Sequence, residues 1–423
     1  MKYDIHTLKN GLRVILAPMQ GAATATVIIM TGTGSRYENV KENGLAHFLE
    51  HMFFKGTKKR PTAHAISSEL ESIGSIYNAY TAKDHTAYWA KVSKQYIDTA
   101  LDVLSDMFLN STLATKEIAK ERGTIIQEID MYEDMPMNNI DNVFEALIFG
   151  AEHPLGRPII GQKENIRRFS RKDFSEYLKR NYTPENTVIC IAGSFSAPKV
   201  LAKIRRGFGQ IKSAEQPVLI PFTGAQSAPR IAIKEKKTDQ THLMLGVPSY
   251  PYLHKDEYAL AVLATILGQG MSSRIFIEVR EKRGLAYSVR AWAEKYPDTG
   301  YFVVQAGIEH EKVQKVVETI LGEFRKIKRE NVSAVELKKA KSFIKGALAI
   351  SLEASDGVAG NAASSLIALG KVRTLEDSLK NIDKVTAADI KRVANDILRT
   401  EKLNLAIIGP HAQKEKFLSL LHI

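Results

Sequence analysis

Apolar side chains recur along this chain at helical spacing in one stretch after another. In "ENGLAHFLEHMFFKG", from Glu42 to Gly56, Leu45, Phe48, Leu49, Met52 and Phe53 make one apolar stripe, which predicts a buried helix. His47, Glu50 and His51 sit on an adjoining face of that helix. "NTVICIAG" carries the continuous apolar run of a buried strand, and "GSIYNAYTAKDHTAYWAKV" reads as strand with a turn around Lys83 and Asp84. Asn10-Gly11 predicts a tight turn between two strands near the start of the chain.

The pattern repeats about 215 residues later. "GLAHFLEHMFFKG" aligns with "ALAVLATILGQG", so that Leu45 matches Leu260, Ala46 matches Ala261 and Phe48 matches Leu263. "IRRFSRKDFSEYL" aligns with "IDKVTAADIKRVA", both opening on a capping box, Ser170 with Asp173 and Thr386 with Asp389. "NTVICIAGSFS" aligns with "KLNLAIIGPHA". Between the halves, "KSAEQPVLIPFTGAQSAP" has the composition of a linker. The chain therefore reads as two copies of one domain of mixed strands and helices, over 1–212 and 229–423, joined by a linker at 213–228. At the aligned positions the second copy has Val262 for His47, Thr265 for Glu50 and Ile266 for His51. The domain does not need polar groups there, so the first copy carries chemistry.

Composition narrows what that chemistry acts on. With 44% hydrophobic and 25% charged residues, the 423-residue chain is a globular one with ample core. Its net charge of +12 comes from bases interleaved with acids, the pattern of a solvated surface, and no nucleic-acid module accompanies it. The longest apolar runs, such as "ATVIIM", are far too short to span a membrane, and the N-terminus lacks a signal-peptide pattern. Cys190, the one cysteine, falls in an apolar strand and is expected to pack in the core. A reducing cytoplasm is the expected location.

Residues four apart on a helix point the same way, so His47 and His51 can reach one point in space. Two imidazoles converging this way form half of a zinc site, and Glu50 is better placed to hold a water than to bind the metal. The arrangement is H-x-x-E-H, the inverse of the zincin order. A third ligand is available from "KEIAKERGTIIQEIDMYED", where Glu121 and Glu128 lie seven apart beside a stripe of Ile118, Ile125, Ile129 and Tyr132. From the residues alone, two structural histidines and a solvated glutamate face remain open alternatives.

The motif and the downstream glutamate pair together resemble the pitrilysin-like inverzincin peptidases, which include the β subunit of mitochondrial processing peptidase. "GTGSRYE", "HMFFKGT", "NAYTAKDHTAYWAKV", "HPLGRPIIG", "YTPEN" and "SSRIFIEVREKRGLAYSV" extend the likeness over most of the chain. The resemblance implies an α+β fold, each copy a mainly antiparallel sheet with helices packed on one face. It implies one Zn²⁺ per chain on His47, His51 and Glu128, with Glu50 catalytic and Glu121 supporting the site. Asn78, Ala79, Tyr80 and Thr81 would form an edge strand that pairs with extended peptides. Arg283 and Tyr287 would hold substrate from the second half. Asp84 stands where many members have Glu, and only "LGQGMSSR" stands where the non-catalytic partner chains have a long glycine-rich loop. Because this chain keeps both residue sets, the expectation is a self-sufficient endopeptidase acting on unfolded peptides. It would work as a homodimer, with a heterodimer the other arrangement. The competing readings are a non-catalytic binding or structural subunit and, from the charge alone, a nucleic-acid-binding protein.

Overall fold

The computed structural model describes residues 2–214 and 218–423, so part of the expected linker, residues 215–217, lies outside the described residues. Among the described residues, eleven strands form two sheets. The first contains β1 (Asp4–Thr7), β2 (Arg13–Pro18), β3 (Thr24–Thr31), β4 (Ile76–Thr81), β5 (Thr86–Ser93) and β6 (Thr187–Gly193) in the order β1-β2-β6-β3-β5-β4. The second contains β7 (Arg230–Glu235), β8 (Thr241–Ser249), β9 (Ala286–Lys295), β10 (Gly300–Ile308) and β11 (Asn404–Gly409) in the order β7-β11-β8-β10-β9. Omitting β1, the two orders are the same order, as the sequence repeat requires. Each sheet has one parallel pairing, β2 with β6 and β7 with β11, and is otherwise antiparallel. The fold is α+β, and β1 pairs with β2 around Gly11, whose φ of 90° suits the tight turn.

Side chains alternate across a strand, so each sheet has two faces to cover. In the first sheet, Ile29 and its cross-strand partner Tyr88 face helices of the same half. Tyr88 packs 4.7 Å from Phe53 of the motif helix (Leu45–Phe53) and 6.4 Å from Phe108 of the helix Ile97–Asn110. The opposite face, with Ile15, Ile28, Met30 and Cys190, is covered by Val358, Ala359, Ala362, Ala363 and Leu366 of the helix Ser355–Leu369. That helix belongs by sequence to the second half. The exchange is mutual: in the second sheet Met244, Val303, Ala406 and Ile408 are covered by Ile140, Phe144 and Ile148 of Pro136–Phe149. The other face of that sheet packs on its own half's helices, Glu257–Gly268, Val313–Arg329 and Ala387–Ile397.

The expectation of helices on one face thus holds for each half's own helices, and a borrowed helix completes the other face. The uninterrupted domains expected over 1–212 and 229–423 are corrected accordingly. One compact unit is Met1–Ile129, Pro158–Ile220 and Ala349–Leu375; the other is Asp130–Arg157, Pro221–Leu348 and Glu376–Ile423. The chain passes between units at 220–221, inside the expected linker, where the described residues form neither helix nor strand. Both predicted capping boxes are present, at Ser170 and Thr386. No helix among the described residues is long and apolar enough to cross a membrane.

Candidate metal centre

The first unit fixes the motif helix at its N-terminus by backbone contact and by a carboxylate. Gly44 precedes the helix with φ 100°, and a Cβ there would stand 2.8 Å from the carbonyl of Ile160 and 2.9 Å from Gly161 Cα. Only glycine admits that approach. Glu38 lies below the helix end and accepts hydrogen bonds from the backbone N–H of Gly44 (2.9 Å) and Ala46 (2.6 Å) and from Asn43 Nδ2 (3.2 Å). It satisfies donors that a helix leaves unpaired and sets a carboxyl group against the positive end of the helix. Burial pushes this carboxyl up to about 8, against the pull of the N–H donors toward the charged form.

The apolar stripe buries Leu45, Phe48, Leu49, Met52 and Phe53, leaving His47, Glu50 and His51 half-buried on the adjoining face. Their neighbour is the helix Thr115–Asp134, whose Ile118, Ile125 and Ile129 are buried, while Glu128 is turned toward the imidazoles. His47 Nε2 lies 3.7 Å from Glu128 Oε1, and His51 Nε2 lies 3.6 Å from Glu128 Oε2. These separations are too long for hydrogen bonds. They suit three ligands of one ion: zinc bonds of about 2.0–2.1 Å in tetrahedral geometry put ligand atoms roughly 3.3 Å apart. One donor atom from each of the three residues falls within 4.8 Å of the others, the only such metal-competent group among the described residues.

Protonation favours the same use. Burial, reinforced by His51, drives His47 down to about 3, so its imidazole is neutral and free to ligate. His51 Nδ1 stands 2.8 Å from Glu121 Oε1; with the carboxylate as acceptor, Nδ1 carries the proton and Nε2 presents its lone pair toward Glu128. Lys55 Nζ holds the other Glu121 oxygen at 2.7 Å. Burial alone would raise the Glu121 carboxyl, but the bonds from His51 and Lys55 outweigh it and leave it below the ordinary carboxylate range. Burial raises Glu128, with His51 opposing and Glu121 adding to the rise. Glu50 does not touch the triad's centre. It accepts a 2.5 Å hydrogen bond from Thr81 Oγ1, and burial raises its carboxyl above the ordinary range.

Thr81 ends β4, an edge strand of the first sheet, which among the described residues pairs with β5 alone. Asn78 and Tyr80 are exposed on it, Ala79 is buried, and the Asn78 side-chain oxygen Oδ1 accepts from the backbone N–H of Ala79 at 2.9 Å. The strand Asn78–Thr81 is therefore tied to the motif helix through the Thr81–Glu50 bond, with an unpaired edge outward. The second unit treats its expected pair differently. Arg283 is in an exposed ion pair with Glu278. The guanidinium over the Tyr287 ring is that of Arg280, at 5.1 Å. Tyr287 is 77% exposed because it is the extra residue of a bulge: Gly307 pairs with Ser288, but Ile308 pairs with Ala286. In the same unit Val262 and Ile266 are fully packed, and the Thr265 hydroxyl bonds within its helix.

Glu38, Lys55 and Arg280 were not among the residues singled out from the sequence. Lys55 follows the helix, past its C-cap Phe54, where helical spacing no longer fixes which way a side chain faces. Glu38 lies six residues before the helix and approaches through a loop, which no periodicity marks.

Residues 13–163 match the family described as insulinase (peptidase family M16), and residues 168–343 match the peptidase M16 inactive domain. The uncharacterized zinc protease YmxG of Bacillus subtilis is 34% identical over 408 residues, 96% of this chain and 98% of that protein. An uncharacterized zinc protease of Rickettsia felis is 34% identical over 412 residues, 97% of this chain and 98% of its own. Among solved structures, a protease from Helicobacter pylori superposes with a TM-score of 0.90 at 26% identity, covering 97% of this chain and 99% of that one. A chain of complex III2 from Candida albicans shares the fold alone, with a TM-score of 0.84 at 18% identity over 99% of this chain and 100% of that one.

Proposed function

The chain belongs to the M16 peptidase family, and from that premise we propose that it is a zinc-dependent endopeptidase acting on unfolded peptides. The observation that carries this reading is the convergence of both imidazole Nε2 atoms on Glu128, with Glu50 alongside and outside the ligand set. His47, His51 and Glu128 would hold Zn²⁺, one per chain. When bound, zinc supplies a Lewis acid for the scissile carbonyl and lowers the pKa of water toward neutrality.

The protein's own groups do the rest. Glu50, its carboxyl raised by burial, takes the proton of the attacking water and delivers it to the departing amine. Glu121 keeps the His51 ring in the tautomer that ligates, and Lys55 keeps Glu121 charged. The open edge of β4 over Asn78–Thr81 pairs with the substrate main chain, which selects extended peptides over folded proteins. In the second unit, Arg283 and Tyr287 hold substrate, with the Arg280 guanidinium over the Tyr287 ring and Arg283 paired to Glu278 in the absence of substrate. A homodimer in a reducing cytoplasm completes the proposal. A non-catalytic subunit has no use for an intact ligand set with an oriented second histidine.

The test is Glu50→Gln. The variant should retain one zinc per chain by elemental analysis and lose cleavage of an unstructured peptide by at least about a hundredfold, the low end of general-base contributions. Normal turnover by Glu50→Gln would overturn the mechanism, and loss of metal would move Glu50 into the ligand set.

A further inference from the structure

In the second unit a cavity of about 260 Å³ opens beside the bulged end of β9. β9 is the edge strand of its sheet, the counterpart of β4 in the first unit, and pairs only with β10. Its walls include Arg280, Arg290, His242, Ser288, Gln305 and Met137. Gly307 lines its floor. It pairs with His242 on one side and Ser288 on the other, and a Cβ there would lie 3.1 Å from Gln240 Oε1, 3.3 Å from Ser288 Oγ and 3.5 Å from His242 Cε1.

Arg290 is held open rather than neutralised. Arg290 donates from Nε and one Nη to the Gln305 side-chain oxygen at 3.0 and 2.8 Å, and stacks 4.7 Å from the Trp292 ring. Gln305 is itself buried and anchored through Nε2 to the carbonyl of Met137. A guanidinium has five N–H donors, so most of the Arg290 fork is left for another acceptor. Among the described residues Arg290 forms no ion pair with a carboxylate. The Arg280 guanidinium lies over the Phe276 ring at 5.0 Å and the Tyr287 ring at 5.1 Å, and makes a long ion pair with Glu281 at 3.9 Å. A guanidinium fork held by Gln305 without a carboxylate partner, a second arginine close by and partly apolar walls beside an unpaired strand edge describe a receptor for a planar anion carried on an extended chain.

We propose that this cavity is a subsite for a peptide carboxylate, seated on Arg290 while the peptide main chain runs along the open edge of β9. The carboxylate comes from an acidic side chain or from the C-terminus of the peptide. The proposal rests on the reading of the protein as a peptidase, since it is the substrate that supplies the peptide.

The full-length chain is stripped of metal with EDTA, so that nothing is cleaved, and titrated into short fluorescein-labelled peptides followed by anisotropy. One peptide carries a glutamate and an amidated end, one a glutamine and a free carboxyl end, one a glutamine and an amidated end. At least one anionic peptide should bind about tenfold tighter than the neutral one, the scale of a charge-assisted hydrogen bond. Which one does so identifies the source of the carboxylate. Arg290→Met should erase the preference, and Gly307→Ala, which narrows the floor without removing charge, should reduce it. If circular dichroism shows that Arg290→Met does not fold, the Gly307→Ala result decides. Equal binding of all three peptides, or an unchanged preference in a folded Arg290→Met or in Gly307→Ala, overturns the proposal. Failure of the peptidase reading shows separately, as absent cleavage by the zinc-loaded wild type.

Discussion

Glu121 and Glu128 stand two helical turns apart on one face, yet the fold puts them to different uses. Glu128 meets the open Nε2 atoms of both imidazoles, whereas Glu121 meets the far nitrogen of His51 and the ammonium of Lys55. Glu121→Gln should therefore lower zinc affinity or turnover by about 10- to 100-fold, the usual cost of losing an outer partner of a ligating histidine. A competitive chelator titration reads the affinity; an unchanged constant would reduce Glu121 to a structural carboxylate. The glutamate pair and the H-x-x-E-H motif were legible because helical spacing alone puts those groups on shared faces. Glu38 was not, because the loop that brings it under Gly44 depends on the contact of Gly44 with Ile160 and Gly161 more than a hundred residues away. Arg280 was not legible for a related reason: spacing points to Arg283, four residues before Tyr287, whereas in the fold the guanidinium over the bulged Tyr287 ring is that of Arg280 and Arg283 pairs with Glu278.

At the scale of elements, the fold class could be read from the repeat, since two copies of the same strand and helix order emerge with the same sheet order. The exchanged helices could not. The periodicity of Ser355–Leu369 shows that it is buried but not against which sheet, and its buried residues are small enough to fit either. Leu366, 4% exposed against the first sheet, gives a direct measure of the contact. Leu366→Ala should destabilise the first unit by roughly 2–5 kcal/mol, the range for a buried leucine truncation. Denaturant unfolding reads this, and a change below about 0.5 kcal/mol, that of an ordinary surface substitution, would mean the helix does not seal that face. Cys190 lies beneath the same helix, fully buried, and burial pushes its thiol well above the ordinary range. The sign follows: the folded state keeps the proton, so this group's contribution to stability is lost as pH rises above the unfolded value of about 8.5. Native protein should show no thiol reactive with Ellman's reagent at pH 8, and unfolded protein one per chain. A reactive thiol in the native state would mean that the helix lifts off.

At the scale of the whole molecule, the interleaving decides what each half can do alone. A fragment of residues 1–212 contains every proposed zinc ligand, so a reading by continuous domains has it fold and bind metal. It lacks Ser355–Leu369, however, and so exposes Ile15, Ile28, Met30, Val188 and Cys190 on one face of its sheet. A contiguous apolar face of that kind on a monomer is an aggregation liability. The fragment also carries Pro136–Phe149, whose Ile140, Phe144 and Ile148 have no sheet to cover without the second half. Residues 213–423 have the complementary defect. Each fragment alone should be insoluble or molten, with little zinc, and co-expression of the two should restore a soluble pair with one zinc per complex. Cleavage should return only with both halves present. A soluble, cooperatively folded 1–212 that binds zinc stoichiometrically would show that the exchanged helices are dispensable. With the exchange intact, neither compact unit can be completed without chain from both halves of the sequence. The repeat that lacks the His47–His51–Glu128 group then has a structural reason to persist beside the one that carries it, apart from any contact it makes with substrate.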